Sequence, residues 1–154
     1  MQRRTFLQGS LAGGAVAVAV GAGLLSPRNV LAAWPSAAFD AKSVQEAMSS
    51  LFGSDETTAS GDIQIKAPDI AENGAVVPVS VSTTIGSTDK IAIIAEKNGQ
   101  PLAASFELGQ GTKGFISTRI KMGKTSDVIA VVEAGGKRFS ARKNVKVTIG
   151  GCGG

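Results

Sequence analysis

The stretch Lys90-Ile91-Ala92-Ile93-Ile94-Ala95-Glu96 indicates the fold class. It places β-branched and small apolar residues between two charged ones, which is typical of a buried strand. Six similar runs lie on either side of it, at residues 63–67, 76–83, 102–108, 115–122, 128–133 and 138–149. Seven short strands on a chain of this length predict an all-β fold, an immunoglobulin-like antiparallel β-sandwich over residues 62–149.

Turn signals separate these runs, and the Asn-Gly and Gly-Gly pairs among them favour tight hairpins. The signals are Asn73-Gly74, Asn98-Gly99, Gly109-Gln110-Gly111 and Gly135-Gly136. Pro78 interrupts the second run, so we expect an edge position or a bulge there. Alternation with a period of two predicts the inward-facing side chains: Ile91, Ile93, Ala95, Ile116, Thr118, Ile120, Val128, Ala130 and Val132.

One helix is predicted ahead of the strands, within an N-terminal segment at residues 33–53. Ser43-Val44-Gln45-Glu46 has the form of a capping box, and Gly53 is a stop signal. Apolar residues follow the cap at helical spacing: Val44, Ala47, Met48, Leu51 and Phe52. The polar face lacks the Lys and Arg that a membrane surface would attract, so we expect packing against this domain or against a partner.

Residues 1–32 have the features of a cleaved export signal. Arg3-Arg4-Thr5-Phe6-Leu7-Gln8 is similar to the twin-arginine motif, and the apolar run from Leu11 to Leu25 is short for a membrane span. Cleavage is expected after Ala32, with Ala38 as a second candidate; an ordinary secretory signal or an uncleaved anchor is the alternative. Since the twin-arginine route exports folded proteins and no cofactor motif is present, we expect a periplasmic protein exported with a partner that lacks its own signal.

The composition excludes several chemistries. The 154 residues include no His and one Cys, so His-based nucleophile pairs, imidazole-ligated zinc, c-type haem attachment and an internal disulfide are excluded. The formal charge of +4 falls to +1 for residues 33–154, which carry 13 basic and 12 acidic side chains. Nucleic acid is therefore not an expected partner, nor is the membrane once the signal is removed.

Charge is unevenly distributed along the chain. Residues 40–107 carry 4 basic and 10 acidic side chains, whereas residues 113–146 carry 9 basic and 2 acidic ones. Two outcomes stay open at this point. Either the folded protein has a basic surface, or strands distant in sequence mix the charges into a neutral one.

The chain ends Val147-Thr148-Ile149-Gly150-Gly151-Cys152-Gly153-Gly154, with its one thiol among glycines. Because glycine has the widest backbone freedom and nothing to bury, residues 150–154 are predicted to form a mobile, exposed arm of at most roughly 17 Å. No cation flanks Cys152 in sequence and a terminal carboxylate lies nearby, so we expect its pKa at or above about 8.5. Such a thiol needs activating groups from another protein, which favours a carrier over an enzyme.

Two alternatives remain for Cys152. A structural immunoglobulin-like periplasmic module would use it for intermolecular disulfides. A thiol oxidoreductase or peroxidase would use it as a nucleophile, although a resolving Cys and a base are missing.

This ending resembles that of the SoxY family, the sulfur carrier subunits of the periplasmic thiosulfate-oxidising Sox system. The twin-arginine leader, Ala33-Trp34-Pro35 and the β-sandwich are similar to that family too. The resemblance implies that Cys152 is the covalent attachment site for sulfur or a thiosulfate adduct, with no metal and no intrinsic cofactor. It implies that the carrier arm consists of Gly150, Gly151, Gly153 and Gly154.

The resemblance also implies partners. These are a SoxZ-like β-sandwich subunit in a heterodimer or heterotetramer, a SoxAX-like cytochrome that couples thiosulfate to the cysteine, a SoxB-like manganese hydrolase that releases sulfate, and a SoxCD-like sulfane dehydrogenase. Five cations are expected near the root of the arm, where they would steer the thiosulfate dianion or dock acidic partners: Lys137, Arg138, Arg142, Lys143 and Lys146.

Overall fold

The computed structural model describes residues 34–148. In this part of the chain two helices precede nine strands. The helices are α1 (Ser36–Asp40) and α2 (Val44–Phe52). The strands are β1 (Thr58–Ala59), β2 (Ile63–Lys66), β3 (Ile70–Ala71), β4 (Val77–Thr83), β5 (Thr88–Ala95), β6 (Leu102–Glu107), β7 (Phe115–Ile120), β8 (Ser126–Ala134) and β9 (Lys137–Val147).

The strands form two sheets. The larger sheet has the order β1-β9-β8-β5-β6, with β3 also paired to β9, and the smaller sheet has the order β2-β4-β7. The predicted β-sandwich is confirmed, but the expected purely antiparallel pairing is wrong for β1 and β3, which pair with β9 in parallel. These two strands raise the count from seven to nine; each has two residues, too few to show an alternating pattern.

The chain changes sheets between β2 and β3. Strand β2 pairs with β4 in the smaller sheet, and β3, four residues later, pairs with β9 in the larger one. Pro68 lies in the connection, where its missing N–H removes no ladder bond. This crossover places β3 beside the C-terminal end of β9, from which the chain's last segment leaves.

The core between the sheets is built from the predicted inward-facing residues. All of them are buried except Thr118, which is half-buried. Ser126, at the start of β8, is buried with them, and its hydroxyl has no hydrogen-bond partner among the described residues.

A second apolar cluster lies on the outer face of the larger sheet. The alternate residues Ala92, Ile94, Ile129 and Val131 are buried there with Ala38, Ala47 and Met48 of the two helices. Strand β5 is thus covered on both faces, which explains the continuous apolar run at residues 91–95. The helix predicted over 43–53 therefore packs within its own domain.

Helix α2 begins and ends as predicted. The Ser43 hydroxyl accepts a hydrogen bond from the Glu46 backbone N–H at 3.1 Å, and Gly53 ends the helix with a φ of 76°. The Glu46 carboxylate accepts from the backbone N–H of Lys42, not from that of Ser43 as a standard capping box requires. Helix α1 was not predicted, because five residues are too few for an apolar period.

The turn predictions were only partly correct. Gly135-Gly136 makes a two-residue hairpin between β8 and β9, with both φ values positive. Asn98-Gly99 lies in a longer connection of β5 to β6, closed by a bond from the Ala95 N–H to the Pro101 carbonyl. The other two signals join strands that do not pair with each other: Asn73-Gly74 joins β3 to β4, and Gly109-Gln110-Gly111 joins β6 to β7.

Pro78 lies in β4, the central strand of the smaller sheet, but at a locally unpaired edge, which agrees with the predicted edge position or bulge. It pairs with Arg119 of β7, but β2 ends two residues before it, at the Lys66–Ser80 pair. Locally, Pro78 has one neighbouring strand, which is why its missing N–H is tolerated.

Candidate functional site

The predicted site residues, Cys152 and the four surrounding glycines, lie outside the described residues. The structure describes the segment that leads to them, the end of β9 and Thr148, which we call the arm root.

The arm root is hydrogen-bonded on two sides. On one side the Val147 N–H donates to the Thr125 hydroxyl at 2.9 Å, and that hydroxyl donates to the Val147 carbonyl at 3.3 Å. On the other side the Thr148 N–H donates to the carbonyl of Ala71 in β3 at 3.1 Å. The chain is therefore fixed in position up to Thr148.

Gly74 allows a close approach beneath the arm root. A Cβ at this position would lie 2.4 Å from the Met122 carbonyl oxygen and 2.7 Å from a methyl carbon of Val147. The Met122 N–H donates to the Gly74 carbonyl at 2.7 Å. Glycine is thus required here by its neighbours, and the Asn73-Gly74 pair forms no hairpin because β3 and β4 belong to different sheets.

Asn98 joins two loops beside the arm root. Its amide nitrogen donates to the Lys121 carbonyl at 2.7 Å, and its amide oxygen accepts from the Gly123 N–H at 2.9 Å. The connection of β5 to β6 is thereby fixed to the connection of β7 to β8. Sequence reasoning interpreted Asn98 as a turn residue, and no local signal pointed to these distant partners.

Four exposed lysines surround the arm root. Each extends from a loop or strand end at this end of the sandwich, and within residues 34–148 none lies in an ion pair: Lys97, Lys121, Lys124 and Lys146.

Two other cations at this end are paired. Arg142 contacts Glu96 at 3.2 Å and Asp127 at 4.0 Å, and Lys143 contacts Asp69 at 3.1 Å. Each of these pairs joins residues distant in sequence, so the acidic and basic halves of the chain mix in part.

The predicted cluster of five cations at the arm root is wrong for two members. Lys137 and Arg138 lie at the start of β9, and its 11 residues place that end about 30 Å from Val147. Arg138 donates to the carbonyls of Phe52 and Glu56, both at 3.2 Å, and so holds the C-terminal end of α2. A sequence places these cations in one cluster, but an extended strand separates them.

Residues 34–148 contain neither a metal-binding cluster nor a membrane-spanning helix. No group of three or more His, Cys, Asp or Glu side chains there is arranged to hold a metal ion. No helix of this segment has the length and apolar character needed to cross a bilayer. Two open clefts lie at the far end from the arm root, lined by residues 82–89 with 108–115 and by residues 61–64 with 82–84.

Comparison with known proteins decides the family. The family model described as "Sulfur oxidation protein SoxY" matches residues 48–152, from helix α2 to Cys152. The chain belongs to the SoxY family. The SoxY match extends across every strand of the sandwich and includes the position of the one thiol, so it covers both the fold and the candidate site.

A solved SoxY structure agrees with this assignment. The sulfur carrier protein SoxY from Chlorobium limicola f thiosulfatophilum is 46% identical, covers 68% of this chain and 94% of its own, and superposes with a TM-score of 0.62. No curated protein sequence matches the chain. The fold predicted from the sequence is that of SoxY, and family membership supports a carrier role in sulfur oxidation.

Proposed function

We propose that this SoxY-family protein carries sulfur compounds covalently on Cys152 while partner enzymes oxidise and hydrolyse them to sulfate. The observation that carries the proposal is the position of the one thiol, in a glycine pentapeptide two residues beyond the hydrogen-bonded Thr148. Glycine on both sides gives a narrow segment that presents a sulfur atom and no other side chain. Such a segment suits insertion into pockets of other proteins.

The first step is an oxidative coupling. The outer sulfur of thiosulfate forms a bond with Sγ of Cys152, two electrons pass to a SoxAX-like cytochrome, and the thiol proton goes to solvent. A SoxB-like manganese hydrolase then adds water to the sulfonate sulfur. The bond between the two outer sulfur atoms breaks, sulfate leaves, and a persulfide remains on Cys152.

The persulfide returns to the free thiol in two further steps. A SoxCD-like sulfane dehydrogenase removes six electrons and adds three oxygen atoms from water, which converts the outer sulfur into a sulfonate. A second hydrolysis releases this sulfonate as sulfate and restores the Cys152 thiol. Partner enzymes perform every oxidation and hydrolysis step of this cycle, so the chain acts as a carrier of the intermediates and not as a catalyst.

In this scheme the chain positions the Cys152 thiol and makes it accessible to the partner enzymes. The arm root is held by Thr125 and Ala71, and residues 149–154, which include the thiol, follow it in sequence. Because no cation is adjacent to Cys152 in sequence, deprotonation depends on groups of the enzyme that binds the arm. A resting thiol of this kind reacts little with unrelated molecules.

The proposal includes export and assembly. Residues 1–32 act as a cleaved twin-arginine signal, and the protein works in the periplasm without a bound metal or cofactor. A SoxZ-like subunit without a signal travels with it as a heterodimer or heterotetramer. The twin-arginine route exports folded proteins, and this chain has no cofactor motif that would require it. A partner subunit exported together with the chain would explain the use of this route.

Intact-mass spectrometry of protein purified from cells grown on thiosulfate tests this function. We expect adducts of sulfur and of thiosulfate confined to the C-terminal peptide, and a Cys152→Ser variant should have none. A matched control combines Cys152→Ser with Thr112→Cys, which moves the thiol to an exposed loop of the sandwich. We expect no adduct on this control either, because the sandwich prevents that thiol from entering a narrow channel.

Three results would contradict the proposal. Disulfide-linked dimers without sulfur adducts would favour the structural module. Turnover of peroxide or disulfide by the purified chain would favour an oxidoreductase. Equal adduct yields on Cys152 and on the thiol introduced by Thr112→Cys would indicate that thiosulfate couples to any exposed thiol without partner enzymes.

A further inference from the structure

We propose that the end of the sandwich around the arm root is a docking surface for acidic proteins, and this inference rests on the proposed carrier function. We call it the root surface. Its occupant is a protein that carries carboxylates around the entrance of the channel that receives Cys152. The root surface consists of Lys97, Lys121, Lys124, Lys146, Ile70 and Val76.

The root surface is held in place by contacts already described. Asn98 fixes the loop of Lys97 to the loop of Lys121, and Thr125 fixes the latter loop to β9 beside Lys146. These hydrogen bonds hold the loop of Lys97, the loop of Lys121 and the end of β9 in fixed relative positions. The backbone positions that carry the lysines are thus preorganised relative to one another.

The two ends of the sandwich differ in charge. At the arm-root end, Arg142 and Lys143 are paired with Glu96, Asp127 and Asp69, and among residues 34–148 Glu72 lies near the four lysines without an ion pair. The opposite end has a carboxylate excess, with six acidic side chains against four basic ones. The acidic residues are Asp55, Glu56, Asp62, Asp89, Glu107 and Glu133, and the basic ones are Lys90, Lys113, Lys137 and Arg138.

Exposed apolar side chains lie among the lysines. Ile70 is 56% exposed and pairs with Lys146 across the β3–β9 ladder. Val76 is 50% exposed, and the pairing of Val77 with Ile120 places it beside Lys121. Protein interfaces combine an apolar centre with a polar rim, and Ile70 and Val76 supply exposed apolar area with the lysines around it.

A protein fits this surface better than a small anion. A dianion such as thiosulfate needs several donors that converge on it, whereas the four lysines extend from three different segments, the β5–β6 connection, the β7–β8 connection and the end of β9. The arm reaches at most roughly 17 Å, so any protein that holds Cys152 in a channel must face the root surface closely. Opposite charge around that channel would raise the association rate.

Charge reversal at matched positions tests the inference. One variant combines Lys124→Glu and Lys146→Glu, and its control combines Lys113→Glu and Lys137→Glu at the opposite end; all four lysines are exposed. Thiosulfate-dependent adduct formation on Cys152 is followed by mass spectrometry in a periplasmic extract of thiosulfate-grown cells that lack this chain. The rate is measured against carrier concentration, thiosulfate concentration and salt, with alkylation by neutral iodoacetamide as a check on access to the thiol.

We expect the root-surface variant to load about tenfold more slowly at low salt, with a raised KM for the carrier. The difference from the wild type should vanish at about 1 M salt, where the Debye length is about 3 Å. The control should load at the wild-type rate, and alkylation should be the same in all three proteins.

Other results overturn the inference in distinguishable ways. Equal rates for both variants, or equal slowing of both, would show that the root surface has no special role. If the root-surface variant had a raised KM for thiosulfate and an unchanged KM for the carrier, the lysines would be a binding site for the anion and not a docking surface. No adduct on the wild-type protein would refute the carrier function itself, and the docking surface with it.

Discussion

Gly74 shows how a single residue is determined by its distant neighbours. The Asn73-Gly74 pair has the sequence of a tight hairpin, yet the glycine lies against the Met122 carbonyl and the Val147 side chain. The absent side chain, rather than a positive φ, is what the position requires. The packing of the arm root therefore depends on a residue more than 70 positions away in sequence.

Replacement of Gly74 by Ala tests this requirement. Because the new Cβ would overlap backbone, we expect the free energy of unfolding to fall by about 1–3 kcal/mol, measured by urea denaturation. Gly99→Ala is the control, since no atom lies within 4 Å of a Cβ there. Equal losses for the two variants would contradict the role assigned to Gly74.

At the scale of elements, β9 connects the functional parts of the domain. It pairs with β8 along most of its length and with β1 and β3 on its other side. Its first residues hold the end of α2 through Arg138, and its last residues form the arm root. Helix α2 in turn covers the outer face of the larger sheet, so its stability contributes to that of the sheet.

A Ser43→Ala substitution measures the contribution of the α2 cap. The Glu46 N–H would lose its side-chain acceptor, and we expect unfolding to become easier by about 1 kcal/mol. Ser50→Ala, on the exposed face of the same helix, should be neutral or slightly stabilising because alanine is the better helix former. Thermal or urea unfolding followed by circular dichroism compares the two, and a loss at Ser50 as large as at Ser43 would refute the cap assignment.

At the scale of the whole molecule, the sandwich has two distinct ends. One end carries the arm root and the four unpaired lysines. The other carries the end of α2, the Gly135-Gly136 hairpin and the two clefts. The length of β9, about 30 Å, exceeds the roughly 17 Å that five extended residues can span, so Cys152 lies within reach of the first end only.

Engineered disulfides test this separation. Lys124→Cys places a thiol next to Thr125, beside the arm root, and we expect it to form an intramolecular disulfide with Cys152 under mild oxidation. Lys137→Cys is the control, since it lies about 30 Å from Val147 along β9 and beyond the reach of residues 148–152. Mass spectrometry of non-reduced peptides identifies the bond, and equal yields from both positions would contradict the fold described for β9.

The sequence by itself determined the β-sandwich, its inward-facing residues, helix α2 and the family-defining terminus. These features are local, since alternation, capping and a glycine-rich end each depend on neighbours within a few residues. The tertiary structure alone decided the pairing of β1 and β3 with β9, the roles of Gly74 and Asn98, and the separation of Arg138 from Lys146. Those depend on contacts between residues distant in the chain, and a linear pattern contains no information on which strand ends meet.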